Sequence, residues 1–474
     1  MPRHRNAASP AVVYRTARCG LRVTRAQQHR LTGLLASAGD VWCCVLEVNC
    51  WRRARQDAPL AGFQQLCGEL ARAGPGTFGE LDSVGARSVL RRYSDAWMTA
   101  AKRRRSGEQH ARFPRRRRRL MSVRWYHGTF TLEGRRLRIP VARGCSPLWV
   151  RLDRDPPYPL GQVRSVTLLY DAGRLWVDVT AEVPIATYPV GQGPDPGRSA
   201  GVDLGIIHPF ALAGPDGQGL LVSGRAIRAE HYQHLRDIKA RGQAVARRAP
   251  KPGHKGSRRW RHYRRRARIV ETRHRRRVRQ AQHEAAKAVI GWAVQQRIGA
   301  LAVGDPRGVL ALQAGRRHNQ RTRDWRIGHL IAALTDKAEA ADITVRLVDE
   351  RGTSSTCPSC HHRIPKPGGR VLSCPKCGHR GHRDLSAAAN IAAKAGGGTT
   401  PALLLADVSH RRAGAHLPGV HPSRRDPRRR SHHRRARGSL VGTGPPRPYS
   451  HGRGVARHTS EEPEVHTRTY EQVH

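Results

Sequence analysis

Acidic side chains are scarce in this sequence: 35 Asp and Glu stand against 87 Lys and Arg, a formal net charge of +52 over 474 residues. A coding bias toward Arg would add bases without removing acids, so the deficit points to a polyanion as the partner. Long apolar runs are scarce as well. No window is read as the ~20 apolar residues of a membrane span, and the N-terminus shows no apolar signal-peptide core, so a cytoplasmic protein without a membrane partner is expected. Of ten cysteines, Cys19, Cys43, Cys44, Cys50, Cys67 and Cys145 are scattered among apolar residues and read as reduced core residues. The other four are paired. The length leaves room for two to four domains.

Val12–Val23 alternates like a strand, and Arg25–Arg55 then takes helical spacing, with Gly39-Asp40 read as a break between two helices. Phe63–Ala73 and Ser88–Lys102 are further helices. Lys102–Leu120 is strongly basic, and Arg115, Arg116 and Arg117 within it are candidate phosphate contacts. Trp125–Ile185 has strand chemistry around Glu133-Gly134 and Asp171–Arg174, which predicts hairpins closing into a small β-barrel. Tyr188–Arg198 reads as a linker.

Ser199–Gly217 follows, with Asp203 at the end of an apolar strand, a turn at Gly205 and a return strand at Phe210–Ala213. Gly219–Ser223 is a third strand. Arg258–Arg297 carries an apolar residue every three or four positions and a basic opposite face, where Arg264, Arg265 and Arg275 are candidate nucleic-acid contacts. Strands at Ala300–Val303 and Ile343–Val348 alternate with a helix from Ile327 to Ala341 and a last helix from Asp384. Three strands, helix, strand, helix, strand and helix is the element order of the RNase H-like fold.

Between the last strand and the last helix stand Cys357, Cys360, Cys374 and Cys377, two Cys-x-x-Cys knuckles thirteen residues apart. Four thiolates on two tight turns suit tetrahedral Zn²⁺, and with every position filled by Cys the site is closed and structural.

With GVDLG, DERGTSSTCPSC, CPKCG and HRDLSAAANI in this order, the chain resembles the TnpB family of insertion-sequence proteins, relatives of the compact type V CRISPR nucleases. The resemblance runs roughly over Val12–Lys394. It implies an RNA-guided DNA endonuclease of mixed α+β and α/β domains, with guide RNA and double-stranded target DNA as partners and a nucleoid-associated location. A β-barrel wedge domain (1–24 and 121–190) would hold an inserted helical recognition lobe and basic link (25–120). A RuvC-type nuclease domain (195–355 and 381–396) would carry an inserted zinc ribbon (356–380), and 399–474 would be a disordered basic tail. Asp203 matches the family's first catalytic carboxylate and Asp384 its last.

The family's fourth nuclease strand usually ends in a Glu followed by an Asp, and the Glu position is Gly304 here. Two-metal hydrolysis needs several carboxylates around a pair of Mg²⁺ ions. Asp305 is adjacent but alternates to the other face, whereas Glu350, at the end of the neighbouring strand, has the length to cross the vacated space. Its competing reading is a surface residue leading into the zinc knuckle. Two rival functions fit the same residues: a nuclease-inactive guided repressor, and a zinc-bearing DNA-binding protein without a guide.

Overall fold

The computed structural model describes residues 11–74, 76–115, 120–306, 308, 315–365, 369–396 and 407–417. Alternation opens it: β1 (Val12–Arg22) buries Val13, Ala17, Cys19 and Leu21, pairs with β7 over Val12–Gly20, and passes Leu21 and Arg22 to β5. One long strand is thereby shared along its length by two neighbours. Thr24 and Gln27 then close a capping box on α1 (Arg25–Ala54). Next come α2 (Phe63–Ala73) and α3 (Ser83–Arg105), the latter capped by Asp82.

The chain returns as β2 (Val123–Tyr126), β3 (Thr131–Glu133), β4 (Arg136–Ile139), β5 (Leu148–Leu152), β6 (Val163–Asp171) and β7 (Arg174–Pro184). The strand order is β2-β6-β7-β1-β5-β4-β3. Helices and sheet share one core, in which Leu31, Leu35, Tyr93, Trp125, Leu137 and Val179 are buried.

The second module starts with β8 (Asp195–Asp203), β9 (Phe210–Ala213) and β10 (Gln218–Ser223), then α4 (Arg225–Ala246) and α5 (Arg258–Gln295). It continues as β11 (Ile298–Asp305), α6 (Gly315–Trp325), α7 (Ile327–Ala340), β12 (Thr344–Asp349), the hairpin β13 (Val371–Ser373) and β14 (Arg380–His382), α8 (Arg383–Gly396) and β15 (Asp407–Arg412). Its main sheet runs β12-β11-β8-β9-β10-β15. β11 is parallel to β8 and β12, β9 is antiparallel to both its neighbours, and β15 is parallel to β10.

Strand alternation sorts the two faces of this sheet. Val202, Phe210, Leu212, Leu301 and Val303 pack in one core with Val278, Ala285, Val289 and Trp292 of α5. Ala211 and Ala213 turn the other way, toward Leu385, Ala388 and Ala389 of α8. That helix lies close on β8: a Cβ at Gly201 would stand 1.9 Å from the Ala388 carbonyl oxygen, so only glycine fits.

Five expectations are corrected. The barrel is an open seven-stranded sheet whose edges, β2 and β3, do not pair with each other among the described residues. Gly39-Asp40 breaks nothing: α1 is continuous, because burial of Gly39 with Ala38 and Trp42 outweighs the ~1 kcal/mol propensity cost of a mid-helix glycine. α1 also contains an apolar window long enough to cross a membrane, against the expectation that none existed, but Leu31, Leu34, Leu35 and Val41 on it are core residues. α4 had no apolar stripe to reveal it. It docks on α5 through polar contacts, in which buried Glu230 accepts from His274 Nδ1 at 2.9 Å and from Arg277 Nε at 3.0 Å. Within the expected tail, Asp407–Arg412 adds β15 to the sheet and Ala413 and Leu417 enter its core; the rest of 399–474 lies outside the described residues.

Candidate active site and cysteine cluster

β8 ends at Asp203 on the face covered by α8, and its continuation turns sharply, Gly205 N–H donating to the His208 carbonyl at 3.0 Å. Asp384 lies in the first turn of α8, where the helix dipole favours a carboxylate. Burial pushes the Asp203 carboxyl up to about 8, and the nearby charges of Asp384 and Glu350 push the same way, against Arg383 and Arg370. Asp203, Glu350 and Asp384 are therefore brought together.

The register explains how Glu350 arrives. Val202 pairs with Val303, so one step further Asp203 and Gly304 stand side by side, and Gly304 pairs with Val348 of β12. A Cβ on Gly304 would meet Glu350 Oε2 at 3.0 Å, Glu350 Cβ at 3.2 Å and Ile391 Cδ1 at 2.8 Å. The glutamate side chain occupies the space that the glycine leaves. β11 pairs with β12 without a register shift from Ala300 to Asp305, so Asp305 alternates to the α5 face with Val303.

Asp384 has a different environment. Burial raises its carboxyl, but the His208 hydrogen bond and the charges of Arg370, His382 and His208 outweigh that and hold it below the usual carboxylate range. His208 Nδ1 lies 2.8 Å from Asp384 Oδ2, and Arg370 Nη1 lies 2.9 and 2.8 Å from its two oxygens. The His208 and His382 rings meet edge-on at 5.1 Å. Sequence reasoning missed His208, Arg370 and His382. Only His382, two residues before Asp384, had a positional signal.

The Cys357, Cys360, Cys374 and Cys377 sulfurs lie within 4.8 Å of one another, with Cys357–Cys377 and Cys360–Cys374 both at 3.6 Å. Four Zn–S bonds of ~2.3 Å in a tetrahedron put sulfurs ~3.8 Å apart, so the cluster could bind zinc. Backbone N–H groups of Cys377 and Lys376 help bring the Cys374 thiol down to about 7, whereas the neighbouring thiols help push Cys377 up to about 12.

Four of the six nominated basic residues are among the described residues. Arg264 is exposed, its guanidinium 4.9 Å from the Trp260 ring, and exposed Arg265 approaches the β6–β7 turn at Gly173. Arg275 is exposed and paired with Glu271 at 2.9 Å. Arg115 is exposed while its carbonyl accepts from Trp42 Nε1 at 3.0 Å. Arg116 and Arg117 lie outside the described residues.

Comparison with known proteins gives two family matches: residues 179–310 match a family described as "Probable transposase", and residues 328–391 one described as "Cas12f1-like, TNB domain". No curated protein matches the chain in sequence. Among solved structures, the protein of a Cas12f1-sgRNA-target DNA complex is 10% identical with a TM-score of 0.55, covering 80% of this chain and 99% of its own. The mini-RNA-guided endonuclease CRISPR-Cas_phi3 is 12% identical with a TM-score of 0.43, covering 82% and 93%.

Proposed function

We propose, of a chain that is TnpB-like and related to the type V nucleases, that it is an insertion-sequence RNA-guided DNA endonuclease with a RuvC-type, RNase H-like catalytic module. Its partners are a guide RNA and double-stranded target DNA, and it works in the cytoplasm at the nucleoid. The observation that carries the reading is the seating of Glu350 in the space beside Gly304, which supplies the third carboxylate next to Asp203 and Asp384.

This donor set fits Mg²⁺. A carboxyl pushed up to about 8 by burial, and further by the charges of Asp384 and Glu350, is relieved by a divalent cation. Asp203, Glu350 and Asp384 would hold the ions, which supply an ionised water and charge stabilisation for phosphodiester hydrolysis. His208 orients Asp384 through Nδ1, and α8, seated on Gly201, holds that carboxylate beside the strand end. The cysteine cluster would hold a structural Zn²⁺, fixing the ribbon (356–380) that delivers Arg370 and leads directly into His382.

The remaining boundaries follow the same reading: a wedge sheet (1–24 and 121–190), a helical lobe with its basic link (25–120), and the nuclease module (195–355 and 381–396). Arg115–Arg117, Arg264, Arg265 and Arg275 contact phosphates.

A second reading draws on Arg370, whose guanidinium sits on both oxygens of Asp384: a chain that carries a guide, binds its target and does not cut. Expression of the full chain with its flanking DNA, sequencing of the co-purifying RNA and incubation with the matching target in Mg²⁺ separates the two. Cutting supports the nuclease; a bound but uncut target supports the repressor.

A further inference from the structure

Beside the proposed Mg²⁺ centre, three side chains from three different elements converge: His208 from the loop after β8, His382 from the end of β14 and Asp384 from α8. One ligand atom from each lies within 4.8 Å of the other two. Two imidazoles and one carboxylate are the donor set that nitrogen-accepting first-row dications take, leaving coordination positions open, whereas Mg²⁺ takes oxygen.

A second observation is independent of that clustering. His382 Nδ1 is buried and has no hydrogen-bond partner among the described residues. A buried polar atom left unpaired is costly, and a buried one generally has a partner. Neither His208, whose Nδ1 is engaged with Asp384, nor the edge-on ring contact satisfies it.

We propose that His208, His382 and Asp384 form a binding site for a transition-metal dication of the iron, cobalt or zinc class, distinct in ligand chemistry from the Mg²⁺ centre with which it shares Asp384. The sulfur cluster is a separate site. Arg370 and Arg383 also face Asp384, with Arg370 Nη1 at 2.8 Å and Arg383 Nε at 3.6 Å. A bound ion takes Asp384 from Arg370, so its arrival releases that arginine of the ribbon. The imidazole pair gives a nitrogen-accepting ion the advantage in this exchange.

The proposal uses the carboxylate that the nuclease reading uses, but its test does not depend on cleavage. Co²⁺ is titrated calorimetrically into the full-length chain with its cysteine cluster kept zinc-loaded, and into His382→Ala and His208→Ala variants of unchanged zinc content and melting temperature. The expected result is one Co²⁺ site per chain that weakens roughly tenfold or more in each variant, with binding elsewhere on this His-rich chain unchanged. Identical titrations of wild type and variants overturn the proposal. Should the variants not fold, wild-type crystals grown with Co²⁺ decide. A cobalt anomalous peak among His208, His382 and Asp384 supports the site, and its absence there overturns it. Wild-type protein that binds Co²⁺ here but never cuts DNA would fail the nuclease reading alone.

Discussion

Glu350 Oε2 lies 3.0 Å from the point at which a Cβ on Gly304 would stand. The absence of a side chain on one strand is thus matched by a long acid reaching in from the next. Gly304→Ala should move the Glu350 carboxylate, since its methyl would also meet Ile391 Cδ1 at 2.8 Å. Overpacking of this kind costs ~1–3 kcal/mol. Melting should fall by several degrees and guided cleavage by roughly tenfold or more, read from a thermal scan and a cleavage time course.

Asp203 gives a pH prediction of defined sign. A carboxyl whose folded value is raised to about 8 binds its proton more tightly folded than unfolded, so the Asp203 contribution to metal-free stability is fully present below the ordinary Asp range and is lost as pH rises through about 8, opposite in sign to that of Asp384. Asp203→Asn should remove that contribution and stabilise the metal-free protein at pH 8 by several kcal/mol, on the order of 5 at ~1.4 kcal/mol per pH unit. Mg²⁺ should stabilise the wild type and have little effect on the variant. Thermal melts between pH 5 and 8.5, with and without Mg²⁺, check both.

Much of the site was legible because strand registers are periodic. A carboxylate ending β8, a glycine one step past the Val202–Val303 pair and an acid just beyond β12 could be placed by counting alone. The unshifted β11–β12 register also keeps Asp305 on the far face, as alternation requires. His208 and Arg370 were not legible. Each reaches Asp384 from a loop, 176 and 14 residues away in sequence, and no local pattern records such an approach. α4 escaped because ionic contacts such as Glu230 with His274 and Arg277 leave no apolar period.

The cysteine cluster should carry about one zinc per chain, since a closed tetrathiolate site binds zinc tightly enough to survive purification. Cys374→Ser should lose it. Because Arg370 directly precedes β13 and His382 ends β14, the loss should also reduce guided cleavage. Metal analysis of the purified variant is the check, and unchanged zinc would contradict the assignment.

β15 changes what a shortened chain should do. Its six residues pair along β10, and Ala413 and Leu417 are buried in the sheet's core. Ending the chain after Gly398 should expose the edge of β10 and cost ~2–3 kcal/mol from lost apolar burial. Ending it after Leu417 should leave melting unchanged. Paired thermal scans of the two truncations measure the difference.

Guided DNA cleavage by Glu350→Gln, measured beside wild type and Asp305→Asn, tests the central claim most directly. Loss of a metal-holding carboxylate removes several kcal/mol of transition-state stabilisation, at ~1.4 kcal/mol per factor of ten in rate. Glu350→Gln should bind guide and target normally and cut at least ~100-fold more slowly, while Asp305→Asn should cut like wild type. Normal cutting by Glu350→Gln, or its loss in Asp305→Asn alone, would contradict the account.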